Sequence, residues 1–294
     1  MHVSASSHGE ILRFRFLRNG YLTLSVFASY KKPRCGYLMC RWIAYRGATI
    51  ALEQYVTKSS RSLISQSLNA LEATASTNGD GFGLGWYGEH PEPGLYHEVR
   101  PAWSDENLLH LCRHIQSSCF FAHVRAATAT AVTRTNCHPF AYEKWLFMHN
   151  GFVASWPRLR RPIEALIPDE LYSARGGTTD SEAIFLAIVG AGIEEDAIKA
   201  TKLIMRELKS MVLEGGDADK LRFTSALSDG RNLYAFRYSV KDNPNSLYYR
   251  SNTDGTVIAS EPLDDDRARW TAVPENHVLV AEPDRPAQVY PFLP

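Results

Sequence analysis

Two apolar runs, CFFAHVRAAT at residues 119–128 and KWLFMHNGFV at 144–153, decide how this chain folds. Their length and aromatic content suit buried strands better than helices. Each run ends on polar residues that a sealed core would not leave unmatched. The first carries His123, Arg125 and Thr128; the second carries His149, Asn150 and Gly151. Taken singly, each has an ordinary explanation. Arg125 suits a strand end at the surface, and Asn-Gly is a common turn dipeptide.

Around these runs the pattern alternates between strand and helix signals. TNGDGFGLGWYG at 77–88 reads as a turn entering a glycine-containing strand. SDENLLHLCRHIQ at 104–116 reads as a helix capped by Ser104, with Leu108, Leu111, Cys112 and Ile115 on one face. DSEAIFLAIVG at 180–190 and the stretch from 194 to 216 are helical, the second stopping at a glycine pair. The last third is strand-rich, and Ser228-Asp229-Gly230-Arg231 reads as a hairpin turn. Strands, then helices, then strands predict a layered α+β fold rather than a doubly wound parallel sheet.

The composition is that of an ordinary globular chain. Of its 294 residues 45% are hydrophobic and 22% charged, and 32 cations balance 32 acids. This balance gives no overall excess for nucleic acid or an anionic membrane, so neither is expected as a partner. No apolar run reaches the ~20 residues of a membrane span. Five cysteines without a compact spacing predict reduced thiols and a cytoplasmic location.

The charge is uneven. Residues 1–38 hold six Arg and Lys residues against the single acid Glu10, which is 6 − 1 = +5 and leaves −5 on the other 256. Three explanations of residues 1–39 stay open: an over-called upstream start, a cleaved propeptide, or a targeting segment. No Ser/Gly linker or repeat follows, so 40–294 is expected to be a single domain. Spacing does not favour a metal site among Cys112, His110, His114, Cys119, His123, Cys137, His138 and His149. No metal and no cofactor are expected. A Cys137-His138 dyad is weighed and set aside, because adjacency in sequence alone does not build one. The tryptophans Trp86, Trp103 and Trp145 are expected in the core or a pocket wall, and Arg158–Arg161 on a solvated face.

Four short groups fit one chemistry: Met39-Cys40-Arg41-Trp42, residues 122–128, Met148-His149-Asn150-Gly151, and Gly177–Glu182. Splitting a carboxamide needs a nucleophile, a base and donors for the developing oxyanion. A Cys40 thiol suits the first role. If Cys40 is N-terminal, its α-amine, titrating near ~7.7–8.0, is the base. Asn150 can donate from its amide and Gly151 from its backbone N–H. Arg125 can fork onto the carboxylate of an amino-acid head, and Asp180 can hold its ammonium. Glutamine or a γ-glutamyl amide fits such a set.

In these motifs the chain from Met39 resembles the class II glutamine amidotransferases, N-terminal nucleophile hydrolases, most closely the stand-alone group that begins Met-Cys-Arg. His123-Val124-Arg125 with Thr128, His149-Asn150-Gly151, Asp180-Ser181-Glu182, Asn78–Gly83 and Ala259–Leu263 are similar to its motifs in order. The resemblance implies a four-layer αββα sandwich and a γ-glutamyl thioester on Cys40. It implies substrate contacts from Arg125, Asp180 and Thr128, and supporting roles for His123 and His149. It also implies either an ammonia-accepting partner protein or outright hydrolysis of a γ-glutamyl compound. The chain departs in two places. Ala126 stands where synthase-linked members often carry tryptophan, and residues 1–39 precede the cysteine. A different class of reading is a catalytically silent scaffold or regulatory subunit that binds glutamine.

Overall fold

The computed structural model describes residues 39–72, 77–127, 130–216, 220–283 and 285–294, with the backbone of two short strands nearer the N-terminus. The chain divides into two compact units, Met1–Tyr37 and Leu38–Pro294. In the first, Ser6–Ser7 and Glu10–Ile11 pair antiparallel.

The second unit opens with strand β1 (Arg41–Ala51), two short helices α1 (Glu53–Val56) and α2 (Leu63–Leu68), and strands β2 (Phe82–Trp86) and β3 (Gly94–Glu98). Helix α3 (Glu106–His114) leads into β4 (Gln116–Val124), β5 (Phe140–Tyr142) and β6 (Trp145–Val153). Four helices follow: α4 (Trp156–Glu164), α5 (Asp169–Tyr172), α6 (Asp180–Gly190) and α7 (Ala197–Glu214). The chain ends in β7 (Leu221–Ser228), β8 (Leu233–Val240), β9 (Tyr248–Asn252), β10 (Gly255–Ala259), β11 (Thr271–Ala272), β12 (His277–Ala281) and β13 (Gln288–Pro291).

The strands form two antiparallel sheets. One runs β11-β9-β10-β1-β4-β2-β3, the other β13-β12-β8-β7-β6-β5. Side-chain alternation along a strand sorts residues to opposite faces. In β1, Trp42 and Ala44 join the core between the sheets, with Phe121 of β4, Leu146 and Met148 of β6, and Ala226 of β7. Ile43, Tyr45, Phe120 and Ala122 face the other way, onto α1, α2 and α3. Phe147, Phe223 and Leu227 turn outward from the second sheet onto α4 to α7. The result is helices, sheet, sheet, helices: the αββα sandwich.

Helix α6 is the keel of its layer. Every residue from Ser181 to Ile188 is buried. Its Phe185 stacks on Phe147 with rings 5.2 Å apart and nearly parallel. Burying a side chain of that size contributes about 1.5–3 kcal/mol, so the helix is held firmly on the sheet that carries Asn150.

Some sequence expectations shift. The cap of α3 is Asp105, whose carboxylate accepts from the Leu108 N–H at 3.0 Å; Ser104 instead bonds the Pro101 carbonyl. A carboxylate accepts more strongly than a hydroxyl and suits the helix dipole. The run 119–128 stops being strand at Val124. The glycine-rich turn takes over there: Arg125 N–H donates to the Gly81 carbonyl and Asp80 N–H to the Arg125 carbonyl. Asn150 and Gly151 do not form a turn; they lie inside β6. Trp145 is buried, but Trp103 is a surface residue beside Gly79. The 228–231 hairpin is present, with Asp229 Oδ1 accepting from the N–H groups of Arg231 and Asn232. Among the described residues no helix is long and apolar enough to cross a membrane.

Candidate active site at one end of the sandwich

Cys40 immediately precedes β1, and the alternation that turns Trp42 inward turns Cys40 inward too. Cys40 is half-buried, and its sulfur meets the segment just beyond β4. Sγ accepts from the Ala126 N–H at 3.4 Å and lies 3.7 Å from the Ala126 carbonyl. Its carbonyl accepts from Asn150 Nδ2 at 2.8 Å and from Arg41 Nη1 at 3.0 Å. The two sheets thus meet at Cys40, one through β1 and β4, the other through β6.

The segment under the sulfur is pinned from below. The Ala127 N–H donates to Asp80 Oδ2 at 2.8 Å, and Gly81 reaches a positive φ of 109° that a side chain would strain. Arg125 is buried to 4% exposure. Its Nη2 donates to Thr130 Oγ1 at 2.6 Å and its Nη1 to the Ala131 carbonyl at 3.3 Å. Burial pushes the Cys40 thiol above its ordinary range, and the Ala126 N–H and the Arg125 and Arg41 guanidinium groups offset part of that. At neutral pH the sulfur is therefore a thiol. Burial likewise pushes the Cys137 thiol up to about 11, and its sulfur points at the Glu98 and Thr133 carbonyls.

Strand β6 presents two donors. Asn150 shares the inward parity of Leu146 and Met148. On its far side β6 pairs with β5 only over residues 145–147. Beyond that the edge is open among the strands. The Val153 N–H points to this edge and donates to Asp180 Oδ2 at 2.9 Å, while the Ala154 N–H faces β7. Alternation then sends the Gly151 N–H to the same open edge as that of Val153. No side chain fits at 151: a Cβ would lie 2.1 Å from the Arg222 carbonyl oxygen and 2.3 Å from His149 Nε2.

Asp180 is the first residue of α6, and Thr179 is the cap, accepting from the Glu182 N–H at 3.2 Å. Besides Val153, the Asp180 carboxylate accepts from the Ser181 N–H at 2.8 Å. Behind it, His149 Nε2 lies 3.0 Å from the Arg222 carbonyl and Nδ1 lies 2.9 Å from Ser181 Oγ. A carbonyl can only accept, so Nε2 carries the proton and Nδ1 accepts from the serine. Burial lowers the His149 pKa, and the Asp180 charge opposes that. His149 thus joins β6 to the first turn of α6.

His123 lies against His138, with ring centroids 4.4 Å apart. Burial, helped by Arg125, pushes the His123 pKa down to about 3. Neither ring has a hydrogen-bond partner among the described residues. No three His, Cys, Asp or Glu side chains among the described residues gather to hold a metal ion.

The structure therefore brings Cys40, Asn150 and the Arg125–Ala127 segment together directly, and joins Gly151, His149 and Asp180 around one strand edge. Thr128 lies outside the described residues. Two participants are not evident in the sequence. Glu261, fully buried, faces Arg41 at 3.5 Å and Arg61 at 2.5 Å and accepts from the N–H groups of Leu71 and Glu72. Its place in the tail segment Ala259–Leu263 was the only hint. Asn245, 95 residues from Asn150, donates to both the side-chain and backbone oxygens of that residue, each at 3.0 Å. Nothing local to Asn245 marks it.

Comparison with known proteins points the same way. The model for class II glutamine amidotransferases matches residues 55–249. A Saccharomyces cerevisiae protein named as a probable glutamine amidotransferase is 29% identical over 289 residues, spanning 82% of this chain and 81% of its own. The γ-glutamyl-hercynylcysteine sulfoxide hydrolase of Mycolicibacterium smegmatis is 28% identical, over 82% of this chain and 95% of its own. Among solved structures, a glutamine aminotransferase class-II domain protein from Silicibacter pomeroyi superposes with a TM-score of 0.69 at 35% identity, over 87% of this chain and all of its own. The Bacillus subtilis glutamine phosphoribosylpyrophosphate amidotransferase, at 15% identity and a TM-score of 0.61, shares the fold. With its αββα layers and the whole of this stretch matched, the chain belongs to the class II glutamine amidotransferases.

Proposed function

We propose that residues 40–294 are the working domain, that residues 1–39 are an extension absent from the active form, and that the active form hydrolyses glutamine or a γ-glutamyl amide through Cys40. The observation that carries this is the 2.8 Å contact of Asn150 Nδ2 with the Cys40 carbonyl, which sets an amide donor beside the thiol.

With Met39 attached, the Cys40 nitrogen is an amide and holds no lone pair for a proton. Once it is an α-amine, it takes the thiol proton. Sγ attacks the substrate's side-chain carbonyl carbon, and the Asn150 Nδ2–H and Gly151 N–H bind the resulting oxyanion. The ammonium returns its proton to the departing nitrogen, which leaves as ammonia or an amine. Water, deprotonated by the same amine, then cleaves the thioester to release a γ-carboxylate. A thiol held neutral by burial fits this order, because it needs a base at each turnover. Arg125 takes the substrate α-carboxylate, which replaces Thr130 on the guanidinium, and Thr128 adds a contact. Asp180 takes the α-ammonium. His123 and His149 stay neutral and hold the walls.

The name of the mycobacterial relative supports a γ-glutamyl compound as substrate, hydrolysed outright rather than with ammonia passed to a partner protein. The free thiols of Cys40, Cys112, Cys119 and Cys137 support a cytoplasmic location. The test is release of ammonia from glutamine, or of amine from a γ-glutamyl amide, by protein beginning at Cys40. Asn150→Ala is expected to lower kcat on the order of 10²–10³-fold. Unchanged turnover by Cys40→Ala would overturn the assignment, as would binding of glutamine or of a γ-glutamyl amide without turnover of either.

A further inference from the structure

An asparagine can donate to an oxyanion only if its amide faces the right way. Rotating the group by half a turn presents an oxygen instead, at almost the same shape. Something must therefore fix the sense of Asn150.

The fixing groups lie behind it in a chain of one-way hydrogen bonds. Asp242 accepts twice from Arg222, Oδ2 from Nε at 3.0 Å and Oδ1 from Nη2 at 3.1 Å. Arg222 also lies over the Phe152 ring, 5.3 Å from its centroid. Its remaining arm, Nη1, donates to Asn245 Oδ1 at 3.2 Å. The Asn245 backbone is held in turn, its carbonyl accepting from Arg237 Nε at 2.9 Å. Asn245 Nδ2 then donates to the side-chain oxygen and the backbone oxygen of Asn150, both at 3.0 Å. A guanidinium cannot accept, and an ionised carboxylate cannot donate. Each link therefore dictates the next. Asn245 must turn its oxygen to Arg222 and its NH₂ to Asn150. Asn150 must turn its oxygen to Asn245 and its NH₂ to Cys40. Asn245 and Asn150 are 5% and 2% exposed, so water does not compete for these bonds.

We propose that Asn245, oriented by the Arg222–Asp242 pair, is the positioning residue that sets the donor sense of Asn150. The inference rests on the amide-hydrolase reading of Cys40 and deepens it. Asn245 touches no reacting atom; it acts through Asn150.

Asn245→Asp is the decisive variant. It keeps the shape and strengthens the contact with Arg222, but it replaces the donor with a second acceptor opposite Asn150 Oδ1. The Asn150 amide must then reverse or leave. Reversed, it would aim an oxygen at the Cys40 carbonyl, so the side chain swings away. In protein beginning at Cys40, kcat is expected to fall at least 10²-fold while KM for glutamine stays within about twofold. In an Asn150→Ala background the same change is expected to cost less than twofold, because the residue it orients is gone. Alkylation of Cys40 by iodoacetamide, which develops no oxyanion, is expected at the wild-type rate. A merely structural role would lower activity equally in both backgrounds, and that result would overturn the proposal. A crystal structure of Asn245→Asp supplies a test free of turnover. Loss of the 2.8 Å Asn150–Cys40 contact supports the positioning role; its retention overturns it even if the wild-type protein turns over no amide. Absence of wild-type turnover counts instead against the functional assignment.

Discussion

Acidification from pH 7.5 to 5.5 is expected to destabilise this domain sharply, and the cause is its buried histidines. His123 is pushed down to about 3, His138 well below its ordinary value, and His149 below it as well, burial being the largest cause in each. The groups facing them do not rescue the cations. Arg125 adds repulsion to His123 and His138, and the half-buried His97 is itself lowered. At His149 the Asp180 charge and the hydrogen bond to the Arg222 carbonyl oppose the shift without cancelling it. In the unfolded chain each imidazole takes up a proton near pH ~6.5, while in the folded chain His123 and His138 refuse it until far lower and His149 also titrates below its ordinary value. The unfolded state thus binds more protons throughout that window, so stability rises with pH across it and falls as pH drops below about 6.5. At pH 5.5, one unit below the free value, each group that stays neutral in the fold costs about 1.4 kcal/mol. His123 and His138 together cost about 3 kcal/mol and His149 adds a smaller share, against a typical total of about 5–15. Acid groups held low at the surface, Glu98, Glu194 and Asp242, titrate below this window. Urea unfolding at the two pH values measures the difference. His138→Leu, which removes one imidazole without a hydrogen-bond partner, is expected to shrink the pH-dependent loss by about 1.4 kcal/mol. Equal stability of the wild type at both pH values would refute the reasoning.

Three further outcomes follow from the site. In Gly151→Ala the new methyl collides with the Arg222 carbonyl and His149; a stability loss of about 1–3 kcal/mol with a fall in kcat is expected, and a wild-type melting temperature would contradict it. Glu261→Gln leaves Arg41 without its counter-charge in a fully buried place; about 3–5 kcal/mol of destabilisation is expected by denaturant titration, and a loss under 1 kcal/mol would show that water reaches the guanidinium. For protein beginning at Cys40, kcat/KM is expected to rise with pH and level off above about 8, as the α-amine loses its proton. A titration limb near 6.5 would instead implicate a histidine and contradict the neutral state of His123 and His149.

Much of the layering was legible because burial on one face writes a local pattern. The run at 144–153 is strand to within a residue, and the helices at 180–190 and 197–214 carry their caps in Thr179 and Asp196. The strand Arg41–Ala51 was not foreseen, because its first half is buried throughout and its second half mostly part-buried, so neither alternates cleanly. Helix Trp156–Glu164 hid behind its arginines, although Leu159 and Ile163 bury its inner side. The residues expected at the site were recognisable as types that do amide chemistry. Glu261 and Asn245 were not, since Arg41 and Asn150, the residues through which they bear on the site, lie more than 90 residues from them in sequence and only the packed sheets bring them close. Arg125 was legible as a cation, but its present partners Thr130 and Ala131 belong to a loop that gave no signal.

The way Cys40 is held bears on the proposed active form that begins at this residue. The first residue of a chain ordinarily frays, and ordering it costs conformational entropy. Here the described contacts grip Cys40 by its sulfur, at Ala126, and by its carbonyl, at Asn150 and Arg41. None of them uses its nitrogen. Severing the chain ahead of Cys40 therefore changes the charge and proton capacity of one atom and leaves every anchor in place. In the proposed active form, a terminus made at Cys40 would thus be held by these contacts from the moment it forms.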